Sequence, residues 1–219
     1  AAQQRWAALD LAERCARVRA AADTLTPEFL DLTAQTLARE LGKPLPDARG
    51  ELGFAGVWLR WAADNAERVL ADHEIDDELG RLLVRRAPFG VVAAVTPWNA
   101  PIILSMLKVA PALVAGNASV VKPSPFAPLA ITAVVRRLAA SLPGGLLDVV
   151  HGDAETGEAL VGHPLVRKVA FTGSTPVGKR VMELATAGVK RVHLELGGKA
   201  PFVVLDDADL EAAVHGAVA

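Results

Sequence analysis

A chain of 219 residues, 52% of them hydrophobic, has enough apolar side chains for the buried core of one or two domains. Its 23 basic and 25 acidic residues are spread along the sequence, which excludes a strongly charged face for nucleic acid or an anionic membrane. The longest apolar runs, such as residues 91–95 and 110–115, are too short to span a bilayer, and we expect no targeting segment at the start. These features favour a cytoplasmic protein whose partner is a small molecule.

The cysteine and histidine content bears on thiol and metal chemistry. Cys15 is the single cysteine, which excludes an internal disulfide and a cysteine-based zinc site. The five histidines are scattered without ligand spacing, so we expect no metal site. Cys15 shares one helical stripe with Val18 and Ala22, and it is therefore interpreted as a buried core residue rather than a nucleophile.

Residues 1–70 are predicted to be helical throughout. Asp10 and Glu13 have the spacing of a capping box, in which each side chain binds a backbone N–H at the start of the helix. The Thr-Pro pair at 26–27 predicts the start of a second helix, because a proline in the first turn loses only a donor that has no helical partner. Gly42 predicts its end.

A third helix is predicted over residues 47–70. Its apolar positions include Trp58, Trp61 and Val69, and the two aromatic residues are expected to lie in the core. Residues 73–87 contain a charged turn between two short segments of extended character, so they predict a hairpin.

From Pro88 onward, short Val-rich runs alternate with spans of helical length. The predicted strands are residues 91–95, 119–121, 147–150, 168–171, 191–194 and 202–205. The predicted helices between the earlier strands are residues 102–114, 129–142, 155–161 and 177–185. Most of these strands are continuously apolar, as strands buried on both faces are. The pattern predicts a parallel sheet covered by helices, which is a doubly wound, Rossmann-like α/β fold preceded by an N-terminal helical segment.

Polar residues follow the first two predicted strands, and ligands of open α/β sheets bind beyond the carboxyl ends of strands. Thr96-Pro97-Trp98-Asn99 comes directly after the first strand. The Asn99 amide would donate to an oxygen that becomes negative during a reaction, although a loop stopped by proline explains the same residues. Lys122-Pro123-Ser124 ends the second strand, where a lysine would reach a phosphate or ribose, or lie in solvent.

Phe171-Thr172-Gly173-Ser174-Thr175-Pro176-Val177-Gly178-Lys179 is predicted to be a strand that turns into a helix through glycines. Backbone N–H groups and the helix dipole favour a diphosphate there. The segment also nearly matches the loop G-x-x-x-x-G-K-[ST] of nucleotide triphosphate hydrolases, with Asp206 as a magnesium ligand. The match fails at Arg180, where a hydroxyl should bind the metal, and at Pro176, which removes an amide.

Glu195-Leu196-Gly197-Gly198-Lys199 ends a further predicted strand. Two glycines let the backbone approach a flat ligand closely. Glu195, if partly desolvated beside them, would serve as a base. A charged strand end before a glycine turn is the alternative explanation of the same residues.

These segments, in this order and approximate spacing, resemble the NAD(P)-dependent aldehyde dehydrogenase superfamily. The resemblance is weak over the N-terminal helices and strong from Gly90 onward. It rests on Pro97-Trp98-Asn99, Lys122-Pro123-Ser124, residues 171–175 with Gly178, residues 195–199, Pro111-Ala112-Leu113, Gly116-Asn117 and residues 206–209. It implies a helical segment at 1–72, a hairpin for oligomerisation at 73–88 and a dinucleotide-binding domain at 89–219.

The resemblance implies oxidation of an aldehyde to a carboxylic acid with NAD or NADP, through a cysteine thioester. Asn99 would hold the oxyanion, Glu195 would activate the water that hydrolyses the thioester, and Lys108 would support the local hydrogen bonds. The family nucleophile would lie a few dozen residues after Glu195, beyond Ala219. We therefore expect a fragment that has no dehydrogenase activity on its own, with a homodimer or homotetramer only for the longer protein.

The resemblance also implies that the strand-end loops surround one bound dinucleotide. Lys122 would reach the adenosine ribose, Ser174 and Trp98 the phosphates, and Leu196 would lie near the nicotinamide. The implied cofactor residues are Thr96, Pro97, Trp98, Lys122, Ser124, Gly152, Gly173, Ser174, Gly178, Leu196 and Gly197. Pro125 stands where many family members have a ribose-binding glutamate, which leaves NAD and NADP both open.

The aldehyde itself is not specified by these residues. Ala100, Leu104 and Leu107 would form part of the entry wall, and their small or aliphatic side chains favour a roomy apolar channel without selecting a substrate. Two other hypotheses stay open at this point. One is a nucleotide triphosphate hydrolase that uses residues 173–179, and the other is a catalytically silent dinucleotide-binding module.

Overall fold

The structure, a computed structural model, describes residues 1–78 and 80–218. Its N-terminal part is helical, as predicted. The helices are α1 (Ala2–Ala7), α2 (Leu11–Asp23), α3 (Pro27–Leu41) and α4 (Leu45–Leu70). Across the described ranges, no helix combines the length and the apolar character that a membrane crossing requires.

The predicted helix signals are confirmed, with one exception. Asp10 Oδ1 accepts a hydrogen bond from the backbone N–H of Glu13 at 2.6 Å. The second predicted bond of the capping box, from a backbone N–H to the Glu13 carboxylate, is wrong. That carboxylate pairs instead with Arg17, one turn further along α2, at 2.5 Å. Thr26 caps α3 with its hydroxyl, and Gly42 ends that helix with a left-handed backbone at a φ of 69°.

The outer face of α4 carries its large aromatic residues. The prediction of a core position is wrong for Trp61, which is 47% exposed. Trp58 is partly buried, and its ring stacks between those of Phe54 at 5.6 Å and Trp61 at 4.5 Å. The inner face is lined by small and aliphatic residues: Ala48, Leu52, Ala55, Leu59, Ala62, Ala63 and Ala66. Small side chains let α2, α3 and α5 (Pro101–Val114) approach closely, so the aromatic rings lie outside.

The predicted hairpin is confirmed. Strands β1 (His73–Asp77) and β2 (Gly80–Val84) pair antiparallel, with His73 opposite Val84. Leu79, in the turn predicted at 76–80, lies outside the described residues. Every described residue of both strands is exposed.

The remaining strands form one parallel sheet, as predicted. They are β3 (Val91–Val95), β4 (Ala118–Lys122), β5 (Leu147–Val149), β6 (Val166–Gly173) and β7 (Arg191–Leu196). Within the described residues their order in the sheet is β5-β4-β3-β6-β7. The chain proceeds outward from β3 to β5 and then returns to the other side of β3, so the strand order reverses between β3 and β6. Ligands of doubly wound folds bind in the crevice at such a reversal.

Helices cover both faces of this sheet. After α5 follow α6 (Leu129–Ala139), α7 (Ala154–Gly162) and α8 (Thr175–Thr186). A last helix, α9 (Leu210–Val218), has no buried residue among those described and does not take part in this covering. Ala94 belongs to the core that contains the N-terminal helices, α5 and α6. Its neighbour Ala93, which points to the opposite face, packs in a second core with Val169 and Val181. The doubly wound fold class is therefore confirmed, whereas the boundaries at 72/73 and 88/89 stay a prediction.

The strand predicted at residues 202–205 is wrong. These residues have no regular structure, and Phe202 and Val203 are 61% and 71% exposed. An apolar run becomes a strand only where a neighbouring strand supplies hydrogen-bond partners. Within the described residues, the sheet ends with β7.

The first helix binds the carboxyl-terminal end of α5. The last carbonyl groups of a helix have no partner inside it. Trp6 Nε1 donates to the Leu113 carbonyl at 2.7 Å, and Gln3 Nε2 donates to the Gly116 carbonyl at 2.9 Å. Trp6 is 1% exposed, so these bonds belong to a tightly packed contact between distant parts of the sequence.

Candidate active site

The loops after β3, β4, β6 and β7 leave the sheet at the same edge. Val95 lies opposite Lys122 in β4 and opposite Phe171 in β6. Thr172, the next residue of β6, lies opposite Glu195 in β7. The register thus brings the four loops singled out in the sequence to one end of the sheet, where doubly wound folds bind ligands.

Two adjoining cavities lie at this edge. The first has a volume of about 900 Å³ and the second about 680 Å³. Both are lined by Pro97, Thr172 and Gly173, which form a shared wall. The first cavity is also lined by Asn99, Lys108, Glu195, Leu196 and Gly197. The second is also lined by Thr96, Trp98, Lys122, Ser124 and Ser174.

The four principal candidates are thus divided between two cavities rather than gathered in one. Asn99 and Glu195 line the first cavity, and Lys122 and Ser174 line the second. The cavities meet at the tips of β3 and β6, because residues of these two central strands and their loops form the wall between them. A ligand that extends past this wall would contact both pairs.

Two glycines expected at the cofactor line neither cavity. At Gly152, with a φ of 145°, a Cβ would lie 2.0 Å from Thr156 Oγ1. At Gly178, a Cβ would lie 2.5 Å from Leu196 Cδ2, so the missing side chain lets α8 pack against the end of β7. Close packing therefore explains why a residue without a side chain is present at both positions.

Asn99 lies just before α5, with its side chain exposed at the first cavity. The backbone carbonyl oxygen of Asn99 accepts a hydrogen bond from Lys43 Nζ at 2.9 Å. Lys43 also pairs with the buried carboxylate of Glu51, which accepts from the Ile102 N–H at 2.8 Å. Lys43 and Glu51 were not predicted as site residues from the sequence. The sequence signal for this pair is the position of Glu51 on the buried stripe of α4, because a buried charge requires a partner.

Lys108 reaches the first cavity from α5, and it is 8% exposed. Its Nζ donates to Thr172 Oγ1 at 2.6 Å and to the Leu104 carbonyl at 3.2 Å. Burial lowers the pKa of Lys108, and the negative charge of Glu195 opposes that shift. The lysine therefore links α5 to β6 and lies within electrostatic reach of the candidate base.

Glu195 is the candidate general base at the end of β7. The expected desolvation is wrong for the described residues, because its side chain is 62% exposed. Its Oε1 lies 2.9 Å from Nε2 of His193. Residues two apart in a strand point to the same face, which explains the contact. His193 was not predicted as a site residue, although its position two residues before a candidate base on the same strand is a signal in the sequence.

Lys122 is buried at the second cavity, with its Nζ 3.2 Å from the Pro123 carbonyl. Burial lowers its pKa, and the negative charge of Asp153 opposes that shift. Ser174 is the N-cap residue of α8, and its side chain makes no cap hydrogen bond. A lysine and the positive end of a helix therefore lie on one cavity, a combination that suits a negatively charged ligand.

The structure disfavours a nucleotide triphosphate hydrolase. The guanidinium of Arg180, which replaces the required hydroxyl, is bound by Glu158 at 2.9 and 2.7 Å. Asp206 follows a segment that is not a strand, and it lies in an exposed turn. Among the side chains of residues 1–78 and 80–218, no group of three or more His, Cys, Asp or Glu is arranged to hold a metal ion.

The doubly wound parallel sheet with cavities at its strand ends defines the class, a Rossmann-like α/β protein. The sequence model of the aldehyde dehydrogenase family matches residues 1–219, and the chain belongs to this family. The NADP(+) succinate-semialdehyde dehydrogenase GabD of Escherichia coli K12 is 43% identical, over 98% of this chain and 45% of that protein.

Solved structures show the same relationship. The crystal structure of an aldehyde dehydrogenase from Brucella melitensis biovar abortus 2308 superposes with a TM-score of 0.93 at 41% identity, over 99% of this chain and 45% of that one. PnpE in complex with nicotinamide adenine dinucleotide gives a TM-score of 0.91 at 37% identity, over 99% and 45%. The chain spans about half the length of the relatives that it matches.

Proposed function

We propose that this chain provides the dinucleotide cavity, the oxyanion amide and the general base of an enzyme that oxidises an aldehyde to a carboxylic acid with NAD or NADP. The observation that carries the proposal is the shared wall at Pro97, Thr172 and Gly173, which joins a cavity containing Asn99 and Glu195 to one with phosphate-binding character. Such an arrangement suits a dinucleotide whose two halves have different chemical tasks.

The second cavity fits the phosphate-bearing part of NAD or NADP. Its volume of about 680 Å³ lies within the range of small-molecule sites. The N-terminus of α8 at Ser174 and the ammonium group of Lys122 supply positive potential for phosphate oxygens. Thr96, Trp98 and Ser124 would complete the contacts with the cofactor. When bound, the nicotinamide would accept a hydride from the substrate.

The first cavity fits the reacting end of the substrate. The Asn99 amide would donate a hydrogen bond to the aldehyde oxygen as its negative charge develops. Glu195, held by His193 at 2.9 Å, would take a proton from the water that releases the acid. Lys108 would orient the Thr172 hydroxyl and offset the charge of Glu195. Leu196 and Gly197 would line the nicotinamide side of this cavity.

Cys15 is unsuited to the nucleophilic step. It is 5% exposed in the core, and burial raises the pKa of its thiol, which disfavours the reactive thiolate. Cys15 is the single cysteine of the 219 residues. We therefore propose that this chain alone binds the dinucleotide without forming a thioester.

The dinucleotide proposal is tested by tryptophan fluorescence of the 219-residue chain. Trp98 lines the second cavity, so NAD or NADP should quench its emission. Trp98→Phe should abolish the quenching, and the matched variant Trp61→Phe, on the outer face of α4, should retain it. Quenching by ATP with Mg²⁺ but by neither NAD nor NADP would contradict the proposal.

In a longer protein that contains this chain, succinate semialdehyde and an uncharged aldehyde of equal length form the first substrate panel.

We further propose that the exposed hairpin joins subunits in the longer protein, as a homodimer or homotetramer. Leu82 and Leu83 of β2 are 56% and 51% exposed, and such apolar residues gain free energy when a partner covers them. Replacing both leucines with serine should lower the mass measured by light scattering in solution. An unchanged assembly would contradict this role of the hairpin.

A further inference from the structure

Helix α5 begins without a cap of its own. Its N-cap residue, Ala100, makes no side-chain cap hydrogen bond, and Pro101 has no N–H group. The N–H groups of Ile102 and Ile103 lie instead at 2.8 and 3.5 Å from Glu51 Oε1. Glu51 belongs to α4 and is 4% exposed, so a buried carboxylate from another helix caps α5. The positive end of the helix dipole stabilises this charge.

The second oxygen of the same carboxylate binds Lys43. This lysine lies between α3 and α4, and its side chain is 20% exposed. Its Nζ also donates to the Asn99 carbonyl at 2.9 Å. One ion pair is therefore bonded to the chain on both sides of Ala100, at Asn99 through the lysine and at Ile102 through the carboxylate.

The side chain of Asn99 has no comparable support of its own. Over residues 1–78 and 80–218, its amide group forms no hydrogen bond. The next residue, Ala100, has a φ of −143° and a ψ of 63°, which lies outside the helical and extended regions. The direction of the Asn99 amide therefore depends on how the backbone of this loop is held.

We propose that Lys43 and Glu51 are positioning residues that hold Asn99 with its amide directed into the first cavity. This inference rests on the proposed function, in which that amide binds the developing oxyanion. Neither residue belongs to the described lining of the first cavity, so both act through Asn99. Such an effect is large enough to measure, because misplacing a catalytic group by about 1 Å costs roughly 100-fold in rate.

Three single variants separate the contacts. Lys43→Met removes the bond to the Asn99 carbonyl and leaves the carboxylate at the start of α5. Glu51→Gln keeps an oxygen for the Ile102 N–H but removes the negative charge that holds the lysine. Arg49→Met is the matched control, because it removes a cation of α4 from an exposed ion pair with Asp31 of α3.

The first readout is nuclear magnetic resonance on the 219-residue chain. Relaxation of the Asn99 side-chain amide should show greater mobility in Lys43→Met and in Glu51→Gln. Hydrogen exchange at the Ile102 amide should accelerate about tenfold or more in Glu51→Gln, since a charged acceptor is replaced by a neutral one. Arg49→Met should change neither quantity. Unaltered Asn99 mobility in both Lys43→Met and Glu51→Gln would overturn the inference.

The second readout is kinetic, in a longer protein that contains this chain and oxidises an aldehyde. Lys43→Met and Glu51→Gln should lower kcat about tenfold or more while the KM for NAD or NADP stays within about twofold, because the second cavity is untouched. Arg49→Met should leave both parameters unchanged. Weaker dinucleotide binding with an unchanged kcat would overturn the inference. If the longer protein oxidises no aldehyde, the proposed function fails, whereas the relaxation measurement still decides whether the pair holds Asn99.

Discussion

Replacing Trp6 with phenylalanine tests how firmly the first helix is bound to α5. Trp6 is 1% exposed, and its Nε1 donates to the Leu113 carbonyl at 2.7 Å. That carbonyl also accepts from the Gly116 N–H at 3.0 Å, so the variant loses one hydrogen bond without leaving the oxygen unpaired. The lost bond costs about 1 kcal/mol. The smaller ring costs about 1 kcal/mol more through lost apolar burial and the space left behind.

The expected loss for Trp6→Phe is therefore about 2 kcal/mol in the free energy of unfolding. Urea denaturation followed by circular dichroism measures it as a lower midpoint with an unchanged slope. Trp61→Phe is the matched control: this side chain is 47% exposed, so the change should stay within about 0.5 kcal/mol. Equal urea midpoints for the two variants would refute this expectation, because the buried hydrogen bond and ring of Trp6 would then add no more stability than the exposed ring of Trp61.

Three further outcomes are expected. Lys122→Met should weaken NAD and NADP binding to the 219-residue chain about tenfold or more, measured by calorimetry, with Arg49→Met as a control of unchanged affinity. The purified chain should reduce no NAD or NADP with any aldehyde, and reduction that disappears in Cys15→Ala would show that the buried thiol reacts. Burial lowers the pKa of Lys108 in the folded chain below 10.5, its value in the unfolded chain. Between these two pKa values the unfolded chain binds more protons than the folded chain does. The free energy of unfolding therefore rises with pH in that window. Wild type should therefore gain stability relative to Lys108→Met as the pH is raised towards 10.5, and a constant difference would contradict this sign.

The parts of the fold that depend on local pattern were predictable. The run at 91–95 coincides with β3, because a strand buried on both faces must be apolar at every position. The Thr-Pro pair at 26–27 and Gly42 mark the ends of α3, since their backbone preferences act within a few residues. The candidate segments were predictable because each follows a predicted strand, and the family resemblance then supplied the roles of their residues.

The parts that depend on distant neighbours were not predictable. Residues 202–205 have the composition of a strand, but a strand requires a partner that composition does not reveal. Trp61 is apolar yet exposed, because alanines already fill the inner face of α4. The contact of Lys43 with Asn99 spans 56 positions in the sequence. Periodicity indicates which face of a helix is buried, but it does not identify the atoms that will meet there.

Helix α5 is held at both ends by residues from the first part of the chain. Trp6 binds the Leu113 carbonyl in its last turn, Gln3 binds the Gly116 carbonyl just after it, and Glu51 binds its first amides. Its 14 residues make a rod about 21 Å long, and Lys108 lies in the middle of it. A substitution in α1 that loosens this contact would therefore shift a lysine far from the alteration. A change in dinucleotide binding by such a variant should therefore be checked for movement of α5 before it is attributed to the cavities.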